Sequence, residues 1–189
     1  TSTYGVGELV LAGFINGCRK FLIGIGGSAT NDAALGMMQA LGWELLDKRG
    51  EQIVLRMCGG MLADVSTLRL DRMSHPFFTN CSFTVACDVT NPLTGPEGAA
   101  ATYGPQKGAS QDDVETLDRG LRHIAELWRR QLHHDVQHLP GAGAAGGMGG
   151  GMVAMLGATL SPGIDIVLKH TGFSRRVKHC DLCLPGEGR

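Results

Sequence analysis

Phe21-Leu22-Ile23-Gly24-Ile25-Gly26-Gly27-Ser28-Ala29-Thr30-Asn31-Asp32 joins an apolar run of strand length to a glycine turn and a polar pair. The unbroken apolar run predicts a strand buried on both faces, as in a parallel sheet. Ser28 or Thr30 is placed to cap a following helix. In that helix Leu35, Met38, Gln39 and Gly42 keep a 3–4 spacing, and Met37 and Leu41 widen the apolar face. A strand, glycine turn and helix in succession present the free amides of a helical first turn, which suit an anion, most often a phosphate.

Three more glycine-rich islands follow: Cys87–Pro96, Gly104-Pro105-Gln106-Lys107-Gly108 and Gly141–Gly149. Glycine admits φ > 0 and close approach of a ligand to the backbone, but it costs chain entropy on folding. A chain that carries that cost at four loops is expected to receive something there, and the expectation is a small-molecule site that includes a phosphate. The 29 glycines in 189 residues are roughly twice the usual share, whereas the apolar content of 43% is that of a globular domain. A net charge of −1 without a basic stripe argues against nucleic acid. No apolar stretch approaches the roughly 20 residues of a membrane span, and no signal-like segment opens the chain, so a cytoplasmic protein is expected. Six scattered cysteines do not form a disulfide framework and are expected to be reduced, several of them buried.

Outward from the first stretch, Leu9, Val10, Phe14 and Ile15 predict a helix stopped near Gly17. Trp43–Leu46 reads as a short strand before the turn Asp47–Gly50, and residues 56–80 have mixed signals. Phe83–Cys87 predicts a second core strand that delivers Asp88 to its C-terminal end, where α/β proteins place reactive groups. Val114, Leu117, Leu121, Ile124, Leu127 and Trp128 define the clearest amphipathic helix, within 112–133. Further helices are expected from about Gly147 to Leu156, with Met148, Met152 and Met155 facing the core, and after Ser161-Pro162 through Lys169. Asp181–Leu184 reads as a buried strand. Strands that alternate with helices mean an α/β or α+β domain.

Several patterns have competing readings. Gly24–Ala29 satisfies the loose dinucleotide pattern, with Asp47 at about the ribose distance, so an oxidoreductase is one rival. Gly141–Gly146 fits the same pattern but follows His138-Leu139-Pro140 rather than a strand, which favours a packing loop. Asn31-Asp32 beside free amides suits a hydroxyl-bearing substrate or Mg²⁺. Asp88 either acts in a site or caps the next turn, and Lys107 either meets phosphate as a point charge or is solvated. The lone Cys180-Asp-Leu-Cys183 lacks the further ligands of a zinc site. His134 and His138 lack the acidic partner of a metalloprotease motif.

The blocks Ile23–Asp32, Leu35–Asp47, Val85–Gly98, Tyr103–Ser110, Gly141–Met148 and Gly157–Leu168, closed by Asp181–Arg189, together resemble the bacterial glycerate kinase family. The resemblance covers essentially the whole chain and is weakest at 54–80. It implies transfer of the γ-phosphoryl of ATP to D-glycerate, giving 2-phosphoglycerate, with Mg²⁺. It implies two α/β domains, one flavodoxin-like and built from both chain ends, the other inserted and likened to restriction endonucleases. Residues 1–180 are then mainly the inserted domain and 181–189 the start of the return to the flavodoxin-like one. The family extends beyond both ends of this chain, so little or no activity is expected of this portion alone. Ala33-Ala34 stands where the family usually has two glycines, and Pro185 where threonine is usual.

In that light the amides of Gly26, Gly27, Ser28 and Ala29 are expected to hold a carboxylate or phosphate, with Thr30, Asn31, Asn91, Gly143 and Gly146 also lining the site. Asp32 or Asp88 would orient the attacking hydroxyl or hold Mg²⁺, Asp88 being the metal candidate. Lys107 would offset negative charge, and Glu187 and Arg189 would complete the site. The expected partners are D-glycerate and ATP, without nucleic acid or membrane and with room for a homodimer. The second rival is a binding or assembly module that keeps the fold without catalysis.

Overall fold

The computed structural model describes residues 1–70, 75–184 and 186. In chain order it holds helix α1 (Tyr4–Ile15), strand β1 (Lys20–Gly24), helix α2 (Leu35–Ala40), strand β2 (Trp43–Leu46), a 3-10 segment at Gly59–Asp64 and strand β3 (Thr67–Leu70). Helix α3 (His75–Asn80), strand β4 (Ser82–Ala86), helix α4 (Ala99–Tyr103) and a 3-10 turn at Pro105–Lys107 lead to helix α5 (Gln111–Leu127), which a π turn at Trp128–Leu132 prolongs. Helix α6 (Ala144–Leu156), strand β5 (Thr159–Ser161), helix α7 (Gly163–Thr171), helix α8 (Phe173–Arg176) and a 3-10 turn at Val177–His179 follow. The architecture is mixed α/β.

Strands β1, β4 and β5 form a parallel sheet in the order β1-β4-β5, with Gly24 opposite Ala86 and Ala86 opposite Ser161. The loops after β1 and β4 therefore start side by side, the arrangement that creates a crevice at the carboxyl ends of parallel strands. Strands β2 and β3 are a separate antiparallel pair. Asp47, after β2, is held in its own turn by the amides of Arg49 and Glu51 and does not lie beside β1, so the dinucleotide pattern lacks its ribose partner.

The core forms where helical spacing predicted it. Helix α5 buries Val114, Leu121, Ile124 and Leu127, and Trp128 continues that face. Ser110 opens α5 with a capping box: the Asp113 amide donates to Ser110 Oγ, and the Ser110 amide donates to Asp113 Oδ2. That satisfies two otherwise orphaned donors. Met37, Met38, Met148, Met152 and Met155 are all buried. Gly7 of α1 lets α1 settle on α2, because a Cβ there would lie 2.5 Å from Met37 O.

Several expectations are corrected. Strand β1 is not buried on both faces. Lys20, Leu22 and Gly24 face outward, and Leu22, 52% exposed, lines an open groove with Ser82, Thr84, Lys169 and His170. Neither Ser28 nor Thr30 caps a helix, since α2 begins at Leu35 behind Ala34, whose φ is 62°. Leu9 and Ile15 of α1 are exposed. Asp181–Leu184 forms no strand, and Leu182 and Leu184 are exposed. All six cysteines are free, but three are exposed and three half-buried, and none is buried.

Candidate active site

The glycine loop leaves β1 at Ile25. Among the described residues, no acceptor pairs with the amides of Gly26, Gly27, Ser28 or Ala29. A Cβ at Gly26 or Gly27 would meet nothing within 4 Å, so these glycines border open space. Gly27 has φ 67°, the left-handed region that a side chain disfavours. Gly143 and Gly146 differ. A Cβ on Gly143 would collide with the carbonyl of Pro92, and one on Gly146 with the carbonyl of Thr30. Both are buried, and they let α6 close against the loops rather than face a cavity.

Asp88 follows β4 one residue after Cys87, whose amide bonds Ser161 O and extends the sheet. Its Oδ1 accepts the amide of Gly163 at 2.7 Å, so it caps the start of α7, the helix expected after Ser161-Pro162. Asn91 is held by its own surroundings: Tyr103 Oη donates to its Oδ1 at 2.6 Å, and its Nδ2 donates to Glu97 O at 2.8 Å. Lys107 Nζ donates to Thr30 O at 2.7 Å, which ties the third island to the first. Burial pushes the Lys107 ammonium below its usual range, and the charge of Asp32 opposes that shift.

Asp32 is fully buried. Its Oδ2 accepts both the amide and the hydroxyl of Thr3, at 2.8 and 2.9 Å, and the Thr3 hydroxyl in turn accepts the Met37 amide. Asp32 thus anchors the start of α1 to α2. Burial raises its carboxyl above the usual range, against the Thr3 bonds that lower it. Asn31 is 7% exposed, and neither Oδ1 nor Nδ2 has a partner. Glu187 and Arg189 lie outside the described residues.

Two cavities meet at Lys107. One, of about 230 Å³, is lined by Gly26, Gly27, Ser28, Asp88, Tyr103 and Lys107. The other, of about 290 Å³, is lined by Asn31, Gly59, Gly60, Lys107, Asp113 and Thr116 among others. The structure therefore brings the first, second and third islands together with Ala144 and Ala145 of the fourth, and leaves Gly143 and Gly146 behind them. Tyr103, Thr116 and Gly59-Gly60 were not expected at the site. Tyr103 could have been found from its place just before the third island. Gly59-Gly60 stands in a stretch without periodicity, and Thr116 on a helix whose outer face carries no chemical pattern.

For Mg²⁺, Asp88 is the one carboxylate on the glycine-loop cavity, and no cluster of three His, Cys, Asp or Glu suited to a metal occurs among the described residues. That fits an ion which keeps several waters and takes one or two carboxylates plus substrate phosphates. It does not fit a closed protein cage.

Unpaired amides at the carboxyl end of a parallel sheet, a carboxylate and a half-buried lysine around one cavity mark an α/β protein with a loop-built polar cavity at its sheet edge. The comparisons with known proteins narrow that class. The family model described as "Glycerate kinase family" matches residues 1–189, and the chain belongs to that family. It is 46% identical over 189 residues to the glycerate 2-kinase of Escherichia coli K12 and 44% identical to the glycerate kinase of Halalkalibacterium halodurans, covering all of this chain and 49% of each relative. It also superposes, at TM-score 0.89 and 44% identity, on a crystal structure from Salmonella typhimurium LT2 assigned as glycerate kinase 2, covering all of this chain and 50% of that one. The chain thus spans about half the length of the relatives it matches. No helix among the described residues is long and apolar enough to cross a membrane.

Proposed function

We propose that the whole protein to which this chain belongs transfers the γ-phosphoryl of ATP to D-glycerate, giving 2-phosphoglycerate. The observation that carries this reading is the cavity where the unpaired amides of Gly26–Ser28 meet Asp88 and Lys107, in a chain matched end to end by the family. Phosphoryl transfer asks a protein mainly for positioning and for neutralisation of charge. The amides of Gly26, Gly27 and Ser28 bind an anionic oxygen without having to break a bond of their own. Lys107, with one N–H held by Thr30 O, has two more to turn toward that anion. Asp88 keeps Oδ2 for Mg²⁺ or for the attacking hydroxyl while Oδ1 holds Gly163. Mg²⁺, when bound with the nucleotide, supplies charge neutralisation at the phosphates.

Asp32 enters as a positioning residue that fixes the loop through Thr3, not as a group touching substrate. Residues 1–180 are read as mainly the inserted domain of a two-domain kinase, with 181–189 beginning the return, and turnover then requires the remainder of the polypeptide. The test is D-glycerate-dependent ADP formation by the full-length protein. No ADP above the rate without glycerate would remove the kinase reading. Quenching by NADH at micromolar concentration would revive the oxidoreductase.

A further inference from the structure

Tyr103, the last residue of α4, lines the glycine-loop cavity beside Asp88 and Lys107 but has no part yet in phosphoryl transfer. Its Oη donates to Asn91 Oδ1 at 2.6 Å, inside the ordinary range for an O–H···O bond. Burial, and after it the charge of Cys87, pushes the phenol above its usual range, so the hydroxyl keeps the proton it donates. Asn91 is itself fixed: its Nδ2 donates to Glu97 O, and its backbone carbonyl accepts the amide of Gly143. The Tyr103 ring faces the Lys107 ammonium, with Nζ 6.0 Å from the ring centroid. Nζ in turn donates to Thr30 O at 2.7 Å. One line of contacts thus runs through all four glycine-rich islands, from Gly143 through Asn91, Tyr103 and Lys107 to Thr30.

We propose that Tyr103 is a positioning residue: tethered to Asn91 by its hydroxyl, it walls in the Lys107 ammonium and keeps it on the cavity lined by Gly26–Ser28. A long lysine stem samples many rotamers unless its surroundings restrict them. Thr30 O holds one N–H and leaves the head free to swing about that bond. The ring removes that freedom. At 6.0 Å the cation–π attraction stands at the outer limit of its range, about 6 Å, so the ring works chiefly as a wall and only secondarily as an electrostatic partner. Phenylalanine at this position keeps the wall but loses the tether that fixes it. Leucine keeps neither the tether nor the flat face. No bond is made or broken at Tyr103, which acts on turnover only through Lys107.

The effect on turnover rests on the kinase reading, whereas the placement of Lys107 is measured without nucleotide. In the full-length protein Tyr103→Phe is expected to lower kcat for ADP formation about tenfold and Tyr103→Leu about 10²-fold, with KM for D-glycerate and ATP within about twofold of wild type. Combined with Lys107→Met, neither substitution is expected to lower kcat by more than a further factor of about two, because the ammonium they act through is gone. Equal fold-losses in the two backgrounds, wild-type kcat in Tyr103→Leu, or a raised KM at unchanged kcat would overturn the proposal. Should Tyr103→Leu fail to fold, Tyr103→Phe and ¹H–¹³C spectra of lysine-labelled protein decide. The ε-methylene protons of Lys107, assigned by their loss in Lys107→Met, are expected to be resolved from one another in wild type and averaged into one signal in Tyr103→Phe. An averaged signal in wild type, or resolved signals in Tyr103→Phe, would overturn the placement. Spectra of the expected pattern without ADP formation would remove the kinase reading and leave the hold of Tyr103 on Lys107 standing.

Discussion

The amide of Ala33 donates to the carbonyl oxygen of Gly146 at 3.1 Å, and both residues have left-handed backbone, with φ of 54° and 67°. The bond joins two strained stretches, Ala33-Ala34 and Ala145-Gly146-Gly147, all at positive φ. A left-handed residue with a Cβ costs roughly 1–2 kcal/mol. The chain accepts that cost at Ala33, Ala34 and Ala145, where the glycine loop, α2 and α6 converge behind the site.

Relief of the strain at Ala33 is nearly cancelled. Ala33→Gly recovers about 1–2 kcal/mol of strain, but adds about 0.5–1 kcal/mol of chain entropy and removes a buried methyl worth ~0.8 kcal/mol. Urea unfolding is expected to place it within about 1 kcal/mol of wild type. Gly146→Ala faces no such balance. Its Cβ would collide with Thr30 O, the acceptor for Lys107. Left-handed strain plus overpacking is expected to cost about 2–5 kcal/mol, with weaker phosphate binding. A Gly146→Ala protein of wild-type stability would refute the packing role.

Asp32 has a separable charge and hydrogen-bond role. Its folded-state carboxyl is raised by burial, so the folded protein binds the proton more readily than the unfolded one. That contribution is fully present below the unfolded pKa and is lost as pH rises through the raised folded value. Asp32→Asn keeps an acceptor for Thr3 and does not titrate. Its melting temperature relative to wild type is therefore expected to rise as pH increases through that window. Asp32→Ala loses both Thr3 bonds and is expected to cost about 3 kcal/mol below that window, and less as pH rises through it, because alanine does not titrate either. A pH-independent difference between Asp32→Asn and wild type would show that the carboxyl is not perturbed.

Local pattern made much of the fold legible. The apolar run before Gly24, the strand before Asp88 and the spacing from Val114 to Trp128 each formed their element, because period and turn chemistry are encoded within a few residues. The lining of the candidate cavity was legible where glycine and aspartate stood in loops after strands, at Gly26–Ser28 and Asp88, and where Lys107 stood between glycines in the turn after α4. What failed depends on distant partners. Asp32 meets Thr3 across 29 residues, and Asp88 caps a helix 75 residues on. The exposure of Leu22 reflects which elements cover the sheet, and nothing in residues 20–24 reports that. The left-handed alanines broke the helix start that Ser28 or Thr30 announced, since tertiary contact with α6 outweighed capping preference.

Asp88 can be dissected through Gly163. Asp88→Ala removes the acceptor for the α7 amide and is expected to cost about 1 kcal/mol, a fall of roughly 2–4 °C in Tm for a domain of this size. Asp88→Asn retains a carbonyl oxygen for Gly163 and is expected to keep wild-type stability. Both are expected to lower ADP formation by about 10²-fold or more if the carboxylate serves Mg²⁺ or the hydroxyl. Full activity in Asp88→Asn would leave Asp88 a helix cap and nothing more.

Lys107 is where stability and function are expected to diverge. Its ammonium is half-buried and held by one carbonyl at 2.7 Å, and burial depresses its pKa. A lysine with a depressed folded-state pKa binds fewer protons folded than unfolded, so burial of its charged form costs stability, and that penalty fades as pH rises through the folded value toward the unfolded one. Lys107→Met removes the ammonium and keeps much of the stem packing. Chemical unfolding at pH 7 is expected to show no loss of stability beyond the one bond to Thr30, about 1 kcal/mol. Phosphoryl transfer is expected to fall by about 10²–10³-fold, because the cation faces the cavity where negative charge is handled. Lys107→Arg keeps the charge but has a planar, larger head. If the lysine acts only as a tether for Thr30 O, Arg should restore both stability and turnover. If it must reach both cavities as a compact point charge, Arg should restore stability alone.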